Sequence, residues 1–122
     1  MKFQFQEGLI YVPLIIHYNK SVVEFDAVID TGSAGTAVDI NLVKLDLSRK
    51  TRIADIIGIG GCQQVAIQEV ERVLIGDKSV VNFPIEFADI KGTFGEEAFI
   101  GSNLLKRLNA VIDYSTEELR FI

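Results

Sequence analysis

With a single cysteine, Cys62, the chain contains no internal disulfide framework, and it fits a reducing compartment. Histidine is as scarce: His17 stands alone, so soft ligands for a protein-only zinc site cannot be assembled. Basic runs are missing too. Lys and Arg total 12 against 17 Asp and Glu, a net charge of −5, which argues against a partner made of nucleic-acid phosphates. Long apolar runs are also absent. The longest extends from Leu9 to Ile16 and is interrupted by Pro13, well short of the ~20 residues that a membrane-spanning helix needs. The opening residues MKFQFQEG lack the sustained apolar region of a secretory signal. The expectation is a cytoplasmic chain starting at Met1, with no membrane or nucleic-acid partner and no metal or other cofactor.

What is there is a core. At 122 residues and 48% hydrophobic content, the chain is long and apolar enough for one domain, residues 1–122, and too apolar for a disordered tail. Lys2–Gln6, Leu9–His17 and Val22–Ile29 read as strands, with Tyr18-Asn19-Lys20-Ser21 as the turn between the last two. Arg52–Ile57 and Val65–Ile75 flank the cluster Gly58-Ile-Gly-Gly61, which predicts a hairpin tip. Val80–Phe87 is a further strand and Lys91–Gly95 a loop. Asp39–Leu45 suggests a short helical turn, and Gly101-Ser102-Asn103 opens a helix over Leu104, Leu105 and Leu108. Ala110–Tyr114 and Leu119–Ile122 close the chain as a hairpin. Many short strands with one short C-terminal helix predict an all-β, barrel-like domain.

The segment Phe25-Asp-Ala-Val-Ile-Asp-Thr-Gly-Ser33 ends an apolar strand on a carboxylate. Gly32 allows a sharp turn and close approach of backbone N–H groups to Asp30, while Thr31 and Ser33 bring hydroxyls. Such a site can fix and tune an acid. Asp-Thr-Gly-Ser is also ordinary turn chemistry, and these four residues alone favour the turn; the three apolar residues ahead of them make the functional reading competitive and leave both open.

Hydrophobic-hydrophobic-Asp-Thr-Gly-Ser is similar to the active-site motif of aspartic proteases, and other segments follow in the matching order. Ile57-Gly-Ile-Gly-Gly61 resembles the flap of the retroviral-type, retropepsin-like members. Phe99-Ile-Gly-Ser-Asn-Leu-Leu105 resembles the element that threads beside the active-site loop and enters a helix. Asn109–Tyr114 with Leu119–Phe121 resembles the closing hairpin of the family. The resemblance spans the chain from about Phe3 onward. Ser33 stands where retroviral members often carry Ala, so the chain looks more like the cellular and bacterial relatives.

The resemblance implies a retropepsin-like closed β-barrel and an aspartic endopeptidase that uses no cofactor. It makes Asp30 the catalytic aspartate, and it makes Thr31 a tie between two active-site loops. Gly32 would allow close approach, and Ser33 would hydrogen-bond the outer carboxylate oxygen. Ile57, Gly58, Ile59, Gly60 and Gly61 would act as flap and substrate-binding residues, and Phe99, Ile100 and Gly101 as the threading loop. Val38, Ile57, Ile59 and Phe99 are candidates for lining apolar pockets around an extended peptide. The chemistry takes two carboxylates sharing a proton, an arrangement for which aspartic proteases are the standard example. Only one Asp-Thr-Gly is present, so the second Asp30 is expected from another copy, in a homodimer. Asp113, in the echo Ala110-Val-Ile-Asp113 of Ala27-Val-Ile-Asp30, is followed by Tyr114 and reads as a turn residue. Cys62 reads as a plain small side chain, His17 as a half-exposed strand residue, and the paired glutamates as solvated surface. The alternative function is a catalytically weak or inactive protease-fold module for peptide binding or oligomerisation.

Overall fold

A computed structural model describes residues 1–58 and 61–122. The chain is mostly strand: β1 (Gln4–Gln6), β2 (Leu9–Tyr18), β3 (Ser21–Ile29), β4 (Ala37–Asp39), β5 (Arg52–Gly58), β6 (Gly61–Ile75), β7 (Lys78–Ala88), β8 (Ala98–Ile100), β9 (Ala110–Asp113) and β10 (Glu118–Phe121). A 3₁₀ turn at Ile40–Leu42 follows β4, and two short helices, α1 (Lys91–Phe94) and α2 (Ser102–Arg107), flank β8. Among the described residues, no helix is long and apolar enough to cross a membrane.

Eight strands form one mixed sheet in the order β1-β2-β3-β8-β4-β7-β6-β5, and β2 also pairs with β6. That extra pairing closes a ring of hydrogen-bonded neighbours. β6 is long enough to serve two partners in succession along one edge: Gly61–Ile67 pairs with β5, while Arg72–Leu74 pairs with β2. The β3–β8 and β4–β7 pairs are parallel, and the other pairings of the sheet are antiparallel.

Local chemistry explains these elements. The β2–β3 turn puts Asn19 and Lys20 at φ 52° and 68°, which matches the strand twist of a tight hairpin. Pro13 lies between the β2 residues paired to β1 and those paired to β6, where no neighbour on that edge requires its missing N–H. Along β2 the side chains alternate strictly, with Ile10, Val12, Leu14, Ile16 and Tyr18 buried. They meet Phe25, Phe87, Leu104 and Leu119 in the main core. Each such large apolar side chain contributes about 1.5–3 kcal/mol when fully buried.

The same alternation splits the sheet into two faces near the middle of the chain. Val38, Phe87, Ala98 and Ile100 join the main core. Their neighbours Ala37, Ala88 and Phe99 join a smaller cluster with Val65 and Ile90. This second face lines the cavity described below.

Two expectations are corrected and two strands are added. Lys91–Gly95 is a helical turn rather than a loop, closed by Gly95 at φ 76°. β4 and β8 are strands of three residues each, too short to carry a period of their own, and they form because partners on both sides supply hydrogen bonds. β6 starts at Gly61 rather than Val65.

Candidate functional site

Asp30 is the first residue beyond β3. Its backbone N–H donates to the carbonyl of Ile100 at 2.8 Å, continuing the parallel β3–β8 ladder by one step. The chain then turns: Ser33 N–H reaches back to the Asp30 carbonyl at 3.1 Å, and Gly32 N–H donates to Asp30 Oδ1 at 3.1 Å. The carboxylate is therefore oriented by its own turn. Asp30 is half-buried, whereas Thr31 and Gly32 are exposed.

The segment entering α2 locks this loop from behind. Ser102 N–H donates to Ser33 O at 2.8 Å, and Asn103 N–H to Ala34 O at 3.2 Å. Ser102 Oγ donates to Thr31 O at 2.8 Å. Gly101 N–H donates to the fully buried Thr36 Oγ1 at 3.1 Å, and that hydroxyl donates to Asn103 Oδ1 at 2.9 Å. Asn103 Oδ1 also accepts the Leu104 N–H at 2.8 Å. The crossing is tight. A Cβ on Gly101 would fall 2.0 Å from Gly35 O and 2.8 Å from Ser33 O, both backbone atoms. Since Gly101 has φ −92° and ψ 178°, which any residue adopts, it is space and not backbone conformation that demands glycine there.

Asp30 and Ser33 open onto a cavity of about 380 Å³. Ala37, Glu86, Ala88 and Phe99 line it from the sheet, Ile90 from the start of α1, and Ile56, Gly61 and Cys62 from the β5–β6 hairpin. Phe94 of α1 packs edge-on against Phe99, with ring centroids 5.5 Å apart. The hairpin register runs to Gly58↔Gly61. Ile59 and Gly60 lie outside the described residues, as do the side chains of Ile57 and Gly58.

The predicted site residues thus divide. Asp30, Ser33, Gly61 and Phe99 are brought to one cavity. Gly101 and Ile100 support it from behind, with Ile100 fully buried in the main core. Val38 is not a pocket residue: it is fully buried in the main core, and strand alternation puts Ala37 on the cavity instead. Ser33 Oγ donates to Gly35 O at 2.9 Å, not to Asp30. The Thr31 hydroxyl has no hydrogen-bond partner among the described residues; it is the Thr31 carbonyl, accepting from Ser102 Oγ, that ties this loop to α2. Of the glutamates read as solvated, Glu71 pairs with Arg49, Glu96 accepts from Tyr11 at 2.7 Å, and Glu97 accepts the Asp26 N–H at 2.7 Å.

Sequence reasoning missed three contributors. Thr36 and Asn103 have no signal beyond being polar residues near a motif. Glu86 lines the cavity and is half-buried, and burial raises its carboxyl above the ordinary value of 4.5, with Arg52 pulling the other way. Asp113 holds the β9–β10 turn, accepting the Ser115 and Thr116 N–H groups at 2.9 and 3.2 Å and pairing with Arg120 at 2.8 Å.

No protein-family model matches the chain, and no curated protein matches it.

Proposed function

We propose that the chain is an aspartic endopeptidase of the retropepsin-like kind, a closed β-barrel that works as a homodimer. The observation that supports this most is the placement of Asp30. Its half-buried carboxylate sits on a turn fixed from behind by α2, and it faces a cavity that a glycine-bearing hairpin also lines.

In this reading, one Asp30 is ionised and takes a proton from water as the water attacks the scissile carbonyl. The second, protonated, donates a hydrogen bond to the carbonyl oxygen and stabilises the developing charge. Two carboxylates brought together in this way share one proton, because both cannot ionise readily. The loop's fixed hydrogen bonds keep reorganisation small during the step.

The second carboxylate comes from another copy. Thr31 is exposed with its hydroxyl free among the described residues, so it is available to a second chain. An open depression lined by Thr31, Ser102, Leu105, Ala110 and Ile112 lies beside it. The chain ends are paired with each other in one copy: Phe3 N–H donates to Glu117 O at 3.0 Å and Leu119 N–H to Met1 O at 2.8 Å. The contact between copies is accordingly assigned to the α2–β9 side around Thr31. A peptide lying extended between hairpin and loop would add main-chain hydrogen bonds as a strand does.

The test is a diverse peptide mixture incubated from acidic to neutral pH with the wild-type chain and with Asp30→Ala, read by mass spectrometry. Cleavage by wild type alone supports the enzyme. No cleavage by either, with peptides retained by both, supports a binding module instead.

A further inference from the structure

The cavity beside Asp30 is not uniformly apolar. Among the described residues, two charged side chains line it, Asp30 and Glu86, and no cation does. Glu86 is set there by the parallel β4–β7 pairing, which places it opposite Ala37, and by its N–H, which donates to Thr36 O at 2.9 Å. Its carboxylate lies over Gly35: a Cβ on that glycine would fall 1.9 Å from Glu86 Oε2. The absence of a side chain at position 35 is what gives the carboxylate its place in the cavity.

Among the described residues, that carboxylate has no hydrogen-bond donor and no ion pair. The cation nearest in register is Arg52, in the cross-strand row Arg52↔Ile67↔Glu86, two strands away and forming no ion pair with it. A half-buried carboxylate that has shed water without gaining a donor is costly to ionise, consistent with its raised pKa. An incoming ammonium or guanidinium supplies the missing donors as charge-assisted hydrogen bonds. The neighbouring apolar residues Ala37, Val65, Ala88 and Ile90 suit the aliphatic stem of such a side chain.

We propose that Glu86 makes this cavity a receptor for a lysine or arginine side chain, so that the preferred substrate is a peptide with a basic residue close to the cleaved bond. This rests on the peptidase reading and replaces the expectation of purely hydrophobic pockets. Glu86 acts here in selection; it does not take part in the bond-breaking step.

The experiment compares kcat/KM for matched peptide pairs that differ only by Lys or Arg against norleucine at each position around the cut. Wild type is expected to favour the basic peptide at one position by roughly tenfold or more, the usual worth of a hydrogen bond to a charged group. Glu86→Gln, nearly isosteric, is expected to abolish that preference, bringing the ratio of kcat/KM between the basic and norleucine peptides to about one. Wild type with no basic preference at any position overturns the proposal, as does a preference that survives in Glu86→Gln. A uniform loss on all peptides in Glu86→Gln also overturns it, since the residue would then belong to the machinery common to every substrate. In each of these cases, cleavage that disappears in Asp30→Ala keeps the peptidase reading intact. Absence of any Asp30-dependent cleavage removes both.

Discussion

Replacing Gly101 with alanine probes the crossing that fixes the candidate site. The added Cβ would stand 2.0 Å from Gly35 O, 2.6 Å from Gly35 C and 2.8 Å from Ser33 O, and all three are backbone atoms that cannot swing away. Ordinary contact needs about 3.4 Å or more, so the loop and the start of α2 must part by over an ångström. That displacement strains three hydrogen bonds at once: Ser102 N–H to Ser33 O, Asn103 N–H to Ala34 O, and Gly101 N–H to Thr36 Oγ1. Overpacking of this kind costs about 1–3 kcal/mol, and each weakened bond adds up to about 1 kcal/mol. A total of about 3 kcal/mol lowers the melting temperature of a domain this size by roughly 10 °C. On the peptidase reading, the same shift would displace the Asp30 turn, and a misplacement of about 1 Å costs about a hundredfold in rate. Thermal melts followed by circular dichroism measure the first effect. A Gly101→Ala protein that melts within about 2 °C of wild type would refute the steric argument.

Removing the Tyr18 hydroxyl with Tyr18→Phe strands the buried Gln68 Oε1 and the Asp46 N–H that it serves, and should cost about 1–3 kcal/mol in urea unfolding. Glu86→Gln should raise the melting temperature at pH 7. The carboxyl's folded pKa lies above its ordinary 4.5, so its contribution is fully present below pH 4.5 and is lost as pH rises through the folded value. The gain should therefore vanish in melts below about pH 4. Asp113→Asn should do the opposite. The Arg120 guanidinium, the Ser115 hydroxyl and the Thr116 N–H hold Asp113 well below its ordinary 3.8. Its contribution is present above that value and disappears as pH falls through the folded pKa, so the variant melts lower at pH 7 and converges with wild type in strong acid.

Much of the fold was legible because its strands carry their own pattern. β2 alternates residue by residue, and β3 and β7 are β-branched and aromatic segments with interspersed polar residues, bounded by turn residues, so their limits follow from side-chain type. β4 and β8 are different in kind. Three residues hold no period, and both strands exist through pairing with segments that lie far away in sequence. Asp30 was legible because a carboxylate at the end of an apolar run is unusual, and Gly101 because Phe99-Ile-Gly101 resembles an element of a known family. Val38 was misassigned for want of the face: only the pairing of β4 with β7 and β8 shows that Ala37, and not its neighbour, meets the cavity. Glu86 escaped notice for the same reason. In sequence it is one polar residue in the alternation of β7, and its position against Gly35 arises from a parallel register that spans nearly fifty residues.

The central claim is that two copies each contribute one Asp30. Mixing wild type with Asp30→Ala at constant total concentration, after exchange of subunits, tests it directly. If a working site needs both carboxylates, peptide cleavage falls as the square of the wild-type fraction, to about one quarter in an equal mixture. A linear fall, to about one half, would show that one chain carries the whole site and would contradict the account.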